Sequence, residues 1–191
     1  MVKTLLVPGL DGSLAPHWQH WWAATDTQAL MVDLSDPARP DPVRWEAELA
    51  GTILRHPGAV LVGHSLGAVL IARVLNAWPQ LNVRGALLVA PAEPDGQPRI
   101  QSFAPIRELP LHVPATVVAS RNDPWMRFPR ARQLAATWQA DLIDLGFAGH
   151  INTDAGFGPW PAGKQLRDDL LLQSAPRLPI RHAAVSLSPQ R

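Results

Sequence analysis

Six short stretches of the chain are almost continuously apolar and lack the alternation that marks a half-exposed strand. Each is only four or five residues long, which favours strands over helices. Strands that are apolar on both sides are typical of parallel sheets covered on both faces. We therefore predict six strands buried on both faces: Thr4 to Val7, Leu30 to Leu34, Ala59 to Val62, Ala86 to Val89, Thr116 to Ala119 and Leu142 to Leu145.

Longer segments with helical spacing separate these strands. Asp41 and Pro42 indicate a helix start, because aspartate caps N-termini and proline suits the first helical position. The predicted helices are His17 to Ala24, Pro42 to Arg55, Leu66 to Trp78, Pro129 to Trp138 and Trp160 to Leu172. Alternating strands and helices with right-handed crossovers predict an α/β protein, a three-layer α/β/α sandwich. The expected sheet has about six parallel strands in the order 2-1-3-4-5-6.

Two segments lie outside this pattern. Residues 91–114 contain six prolines and predict a rigid loop, with no separate cap domain. Residues 174–191 carry three arginines and no acidic residue, so we expect a basic tail that is partly ordered or disordered. Pairing of AAVSL with a sheet edge is a less favoured alternative. The predicted domain therefore spans residues 1–173.

Composition excludes several function classes. With 47% hydrophobic and 17% charged residues, the chain is far from the composition of disordered proteins. A net charge of +1 gives no support for nucleic-acid or membrane binding. The absence of cysteine removes disulfides, thiolate metal sites and thiol nucleophiles. The N-terminal apolar run is too short for a signal sequence, so we expect a cytoplasmic protein.

Ser65 is the candidate nucleophile. It stands in Gly-His-Ser-Leu-Gly, directly after a predicted strand and directly before a predicted helix. A serine in such a tight turn needs small neighbours, which the glycines two residues away on either side provide. The helix behind Ser65 also presents free N–H groups to a developing anion. This context is typical of a nucleophile elbow, although the bare motif also occurs by chance.

A serine hydroxyl needs a general base and an orienting acid. His150 and Asp123 follow predicted strands, at the sheet edge where open α/β proteins bind ligands. The order serine, acid, histidine along the chain fits a triad of Ser65, Asp123 and His150. Glu93 and Asp95 are alternative acids. Asp123 could also be only a helix cap before Pro124.

The oxyanion hole of such a site needs two backbone N–H groups. One comes from the residue after the nucleophile, which is Leu66. The other is expected from the loop after the first strand, and Leu10 is the preferred candidate. This loop lacks the third glycine of a dinucleotide-binding motif, so that alternative fails.

Three further histidines have weaker interpretations. His64 precedes the nucleophile and is not expected to fold back onto it. His17 and His20 have the spacing of shared metal ligands on a helix, but an amphipathic helix face is the favoured interpretation. We therefore predict no metal and no cofactor.

The chain resembles the small alpha/beta hydrolases grouped with retinoblastoma-binding protein 9. The resemblance rests on VPGL followed by HW, on GHSLGA, on the Asp-Pro of SRNDPW and on GHINTDAGFGPWPAG. It implies an alpha/beta-hydrolase fold without a cap and a serine hydrolase with the triad named above. The Leu-x-Cys-x-Glu motif of the family's namesake cannot exist without cysteine, so a retinoblastoma-type partner is not implied.

Because no cap is expected, the site should be open, with aromatic residues at its rim. The candidates lie near strand ends, although each could equally be core: Trp18, Trp125, Phe128, Phe157 and Trp160. Arg121 and Arg127 could favour an acidic acyl group, but a solvated charged surface is the preferred interpretation.

These features predict hydrolysis of small carboxylic esters, thioesters or amides through an acyl-enzyme. The expected partner is therefore a small-molecule substrate. Two alternatives stay open, a non-catalytic protein-binding module on the same fold and an acyltransferase that uses an acceptor other than water.

Overall fold

A computed structural model describes residues 1–173, and the predicted tail lies outside the described residues. The strands form one parallel sheet in the order β2-β1-β3-β4-β5-β6, which confirms the predicted topology. Their bounds are β1 Thr4–Val7, β2 Ala29–Met31, β3 Ala59–His64, β4 Val83–Val89, β5 Ala115–Ala119 and β6 Asp141–Asp144.

Within residues 1–173, five α-helices cover the sheet, and each begins and ends within one residue of its predicted bounds. They are α1 Trp18–Thr25, α2 Pro42–Arg55, α3 Leu66–Ala77, α4 Phe128–Trp138 and α5 Pro161–Gln173. Buried residues of α2, α3 and α4 form one core with the sheet, and those of α1 and α5 form the other. The three-layer sandwich is therefore confirmed.

Local sequence explains where α2 begins and which side it buries. The Asp41 carboxylate accepts the Arg44 N–H at 2.8 Å, and Pro42 occupies the first turn. Trp45, Leu49 and Ile53 recur at helical spacing and are buried against the sheet. Each such side chain contributes roughly 1.5–3 kcal/mol when fully buried.

The central strands alternate between the two cores. Leu61 of β3 packs into the core under α2 and α3, whereas Val60 and Val62 pack into the core under α1 and α5. Both faces of β3 are therefore buried, which is why residues 59–62 are all apolar.

Burial on both faces is wrong for the two edge strands. β2 is only partly buried, with Leu30 40% exposed, and β6 has exposed residues at both ends. An edge strand has one neighbour only, and the helices do not cover it fully. Asp33 and Asp144 are the only charged residues in the six predicted strand segments, and they signal this position, which the apolar pattern alone did not take into account.

Residues 91–114 contain only a single 3₁₀ turn at Gln101–Phe103. Ile100, Phe103, Ile106 and Leu111 of this segment are buried in the core under α3 and α4. The segment thus packs onto the domain and does not form a cap. Among residues 1–173, no helix is both long enough and apolar enough to cross a membrane.

Candidate active site

Ser65 lies in the turn between β3 and α3 with φ 57° and ψ −122°. A side chain in this region of φ/ψ space carries backbone strain of roughly 1–3 kcal/mol. Close approaches fix the turn, because a Cβ on Gly67 would lie 2.2 Å from the Val7 carbonyl oxygen. A Cβ on Gly63 would lie 2.7 Å from the Ala68 nitrogen. Both glycines are therefore required where the helix meets the sheet.

The structure brings Ser65, His150 and Asp123 into one hydrogen-bonded row. The Ser65 Oγ lies 2.8 Å from His150 Nε2. His150 Nδ1 lies 2.9 and 3.0 Å from the two Asp123 oxygens. Because the carboxylate accepts the Nδ1–H, the lone pair of neutral Nε2 faces the serine hydroxyl. Both His150 and Asp123 are more than nine-tenths buried.

Asp123 and His150 are placed by the loops that follow β5 and β6. The Asp123 carboxylate also accepts the Trp125 N–H at 2.8 Å. Asn122 Oδ1 accepts the Gly149 N–H at 2.8 Å and the Ser120 hydroxyl at 2.9 Å. These bonds tie one loop to the other just before His150. Sequence reasoning missed Ser120 and Asn122, although both stand in the polar SRND run after β5.

The loop after β1 brings Leu10 beside the elbow. Gly9 packs so closely there that a Cβ on it would lie 3.2 Å from the Leu66 nitrogen. Leu66 is the first residue of α3, so its N–H has no partner within the helix. Within residues 1–173, neither the Leu66 nor the Leu10 N–H has a hydrogen-bond acceptor. Both donors are thus available to an oxyanion.

Asp11 fixes this loop from outside. Its N–H donates to the Pro37 carbonyl, and its carboxylate accepts two hydrogen bonds from Arg99, at 2.6 and 2.9 Å. The Arg99 guanidinium beside Asp11 lowers the pKa of that carboxyl. A residue of the proline-rich segment thereby holds the loop that carries Leu10.

Two further histidine rings pack next to His150, each tilted against its neighbour. The His17 and His64 centroids are 4.8 Å apart, and those of His64 and His150 are 5.0 Å apart. His64 Nε2 donates to the His150 carbonyl at 2.9 Å. Burial, with a smaller effect of His150, lowers the pKa of His17 to about 4, and burial also lowers that of His64 well below its usual value. Both rings are therefore neutral near pH 7.

The expected place of His17 on a helix face is wrong. His17 is buried and precedes α1, where its Nδ1 accepts the Gln19 N–H and caps the helix, whereas His20 is exposed. A neutral ring can be buried in this way, which the spacing of the two histidines did not reveal. In the described part of the chain, no group of three or more metal-ligating side chains is arranged to hold an ion.

A cleft of about 280 Å³ opens at Ser65 and His150, and we call it the Ser65 cleft. Trp125 lies in its wall, with its ring centroid 5.8 Å from that of His150. Asn152 and Asp154 complete the wall beyond His150. Of the predicted rim residues, Trp125 is thus placed at the cleft.

Rim positions are wrong for Trp18 and Trp160. Trp18 is fully buried, donates its Nε1–H to the Ile151 carbonyl and packs edge-on against Trp160, which is 6% exposed. Phe157 is half-buried and packs against Trp160, and Phe128 packs under the Arg121 guanidinium. Neither phenylalanine lines the Ser65 cleft. Burial of the Trp18 and Trp160 rings in the core is favourable because it removes a large apolar surface from water.

The alternative acids are engaged elsewhere. Glu93 forms an ion pair with Arg130 at 2.8 Å, and Asp95 accepts a weak hydrogen bond from Gln101. Arg121 pairs with Asp144, and neither Arg121 nor Arg127 lines the Ser65 cleft. The geometry thus favours Asp123 as the partner of His150.

The fold, the strained serine turn and the hydrogen-bonded row together define an alpha/beta hydrolase. Residues 4–168 match the model of the serine hydrolase family, and the chain belongs to that family. The narrower grouping with retinoblastoma-binding protein 9 stays a prediction.

Individual relatives agree with this assignment. The structure of a YdeN-like protein from Pectobacterium atrosepticum is 35% identical, with a TM-score of 0.81 over 92% of this chain and 94% of that one. YdeN of Bacillus subtilis is 25% identical over 83% of this chain and 90% of its own length. The structure of YdeN gives a TM-score of 0.74 over 90% of this chain and 100% of that one.

Proposed function

We propose that this protein is a carboxylesterase-like serine hydrolase that acts on small carboxylic esters, thioesters or amides. The observation that carries the proposal is the row from Ser65 Oγ through His150 to Asp123, with contacts of 2.8 to 3.0 Å. A cytoplasmic location and a small-molecule substrate belong to the same proposal. Residues 1–173 form no cap over the Ser65 cleft, which supports access for small substrates.

In the first half of the reaction, Ser65 Oγ attacks the substrate carbonyl carbon and passes its proton to His150 Nε2. Asp123 holds the ring in the correct tautomer and stabilises the imidazolium. The N–H groups of Leu66 and Leu10 bind the oxyanion, and each such donor contributes roughly 3–4 kcal/mol in the transition state. His150 then gives the proton to the departing alcohol, thiol or amine, which leaves an acyl group on Ser65.

In the second half, His150 takes a proton from water, and the resulting hydroxide attacks the acyl carbon. The tetrahedral intermediate uses the same two N–H groups. Its collapse returns the proton from His150 to Ser65 and releases the carboxylic acid. No group besides these side chains and backbone N–H donors is needed for this sequence.

The test is labelling with a fluorophosphonate, read by intact mass and peptide mapping. We expect one adduct, on Ser65, in the wild type and none in Ser65→Ala. In His150→Ala the labelling rate should fall at least 100-fold, because the base that activates the serine is missing. An unlabelled wild type, or an adduct on another residue, would contradict the proposal and favour a binding module.

A further inference from the structure

A second compartment of about 330 Å³ adjoins the Ser65 cleft at His150, and we call it the Asp154 compartment. Trp125, His150, Asn152 and Asp154 line both it and the Ser65 cleft. The loop with Leu10 lines the cleft only. In the proposed reaction His150 gives its proton to the departing group, so that group would reach the compartment beside His150.

The charges around this space are unbalanced. Asp11 and Arg99 also line the Ser65 cleft but neutralise each other through two hydrogen bonds. Asp154 is exposed and, within residues 1–173, its carboxylate has neither an ion pair nor a hydrogen bond. Among residues 1–173, no lysine or arginine lines the Asp154 compartment. A departing group therefore meets one uncompensated negative charge.

The position of this charge is fixed by the backbone. Asp154 lies in the 3₁₀ turn Thr153–Ala155, which Asn152 caps by accepting the Ala155 N–H. The half-buried Trp125 ring lines the same compartment. A carboxylate together with an aromatic ring is the combination that attracts organic cations.

On the basis of the proposed hydrolase activity, we infer that Asp154 and Trp125 form a subsite for a positively charged departing group, such as an amino alcohol or a quaternary ammonium alcohol. The subsite distinguishes substrates by charge and takes no part in bond making. It disfavours departing groups that carry a carboxylate.

Three acetate esters test this inference. One has choline as the departing alcohol, the second is its neutral isostere with carbon in place of nitrogen, and the third departs as a hydroxy acid of similar length. The measured quantity is kcat/KM for the choline ester divided by that for the isostere. Comparing this ratio between variants cancels the different intrinsic reactivities of the esters.

We expect Asp154→Asn to lower the ratio about fivefold, as expected for the loss of one exposed charge while the Trp125 ring remains. The hydroxy-acid ester should gain relative to the isostere in the same variant. Asp141→Asn is the matched control. Asp141 is an exposed carboxylate at the N-terminal end of β6, whereas Asp154 follows the C-terminal end of that strand. The control variant should leave the ratio unchanged. An equal ratio in wild type and Asp154→Asn, or a preference for the hydroxy-acid ester, would overturn the inference.

The inference can fail separately from the proposed function. Calorimetry with Ser65→Ala, with and without Asp154→Asn, gives the dissociation constants of the choline ester and the isostere. Their ratio measures charge discrimination without turnover. Hydrolysis of the isostere without charge discrimination would contradict only the subsite. Charge discrimination in binding without hydrolysis by the wild type would contradict only the hydrolase.

Discussion

The two walls of the Ser65 cleft are held in different ways. One wall, the elbow wall, consists of the turn at residues 63–67 and the loop at residues 8–12, and close backbone contacts at Gly63 and Gly67 shape it. The other, the base wall, consists of the loops at residues 120–125 and 145–152, which side-chain hydrogen bonds join. Substitutions should therefore act through sterics on the elbow wall and through lost hydrogen bonds on the base wall.

The largest effect is expected on the base wall, from Asp123→Asn. The amide can donate to Nδ1, which favours the wrong tautomer of His150, so kcat should fall about 10⁴-fold. Ester hydrolysis with purified enzyme measures it, and Asp141→Asn serves as the control. A loss of less than tenfold would show that Asp123 does not orient His150.

An effect on stability is expected at His17, which packs against His64 of the elbow wall. Its folded-state pKa of about 4 lies below the ordinary 6.5, so the unfolded state binds a proton more readily. The contribution of His17 to the free energy of unfolding should be complete above pH 6.5 and decrease by about 3 kcal/mol as the pH falls to 4.

Urea unfolding between pH 4 and 8 measures this loss for the wild type and for His17→Phe. The variant should lose less stability over the same range, since phenylalanine takes up no proton. His20→Phe is the control, because His20 is exposed. Equal pH dependence in wild type and His17→Phe would contradict the prediction.

On the elbow wall, Gly67→Ala tests the close contact. The added Cβ would collide with the Val7 and Pro8 carbonyl oxygens, so α3 has to move away from β1. We expect about 2–3 kcal/mol less stability and roughly 100-fold lower kcat, since Ser65 and Leu66 move with the helix.

Gly51→Ala in α2 is the matched control for this change. A Cβ there meets only the Arg55 side chain at 3.5 Å, so the variant should be more stable by about 0.5–1 kcal/mol. If Gly67→Ala kept wild-type activity, backbone contact would not be what positions the elbow wall.

The smallest effect is expected from Asn122→Ala on the base wall. It leaves the Ser120 hydroxyl and the Gly149 N–H without their acceptor, partly compensated by water because Asn122 is exposed. We expect the variant to lose about 1 kcal/mol of transition-state stabilisation, which corresponds to a kcat/KM about fivefold lower. Asn122→Asp keeps the acceptor and should restore most of the activity, and a failure to do so would separate Asn122 from the placement of His150.

The contrast between the walls also explains what the sequence could predict. Within the elbow wall, the turn at residues 63–67 consists of residues adjacent in the chain, so Gly63, Ser65 and Gly67 formed a recognisable motif. Chain order then led to Asp123 and His150. The contact between the His17 and His64 rings joins positions 47 residues apart, and nothing in the local sequence pattern indicates this contact.

Aromatic residues show the same limit. Trp18 and Trp125 both lie near strand ends, yet the first is fully buried and the second lines the cleft. The sequence around the two tryptophans does not show this difference. It arises because α1 packs its Trp18 against the sheet, whereas Trp125 lies in a loop. The exposure of the edge strands β2 and β6 was missed for a different reason, because Asp33 and Asp144 in their predicted segments were treated as interruptions of an apolar run and not as signs of an exposed edge.

The positive φ of Ser65 has a consequence for how this chain could change. Glycine adopts such a conformation without steric conflict, so Ser65→Gly should fold at least as well as the wild type. Folding alone therefore does not require serine at this turn. A duplicated copy of the chain that no longer had to hydrolyse a substrate could replace Ser65 by glycine and gain stability. A copy that keeps the serine keeps the backbone strain of this turn.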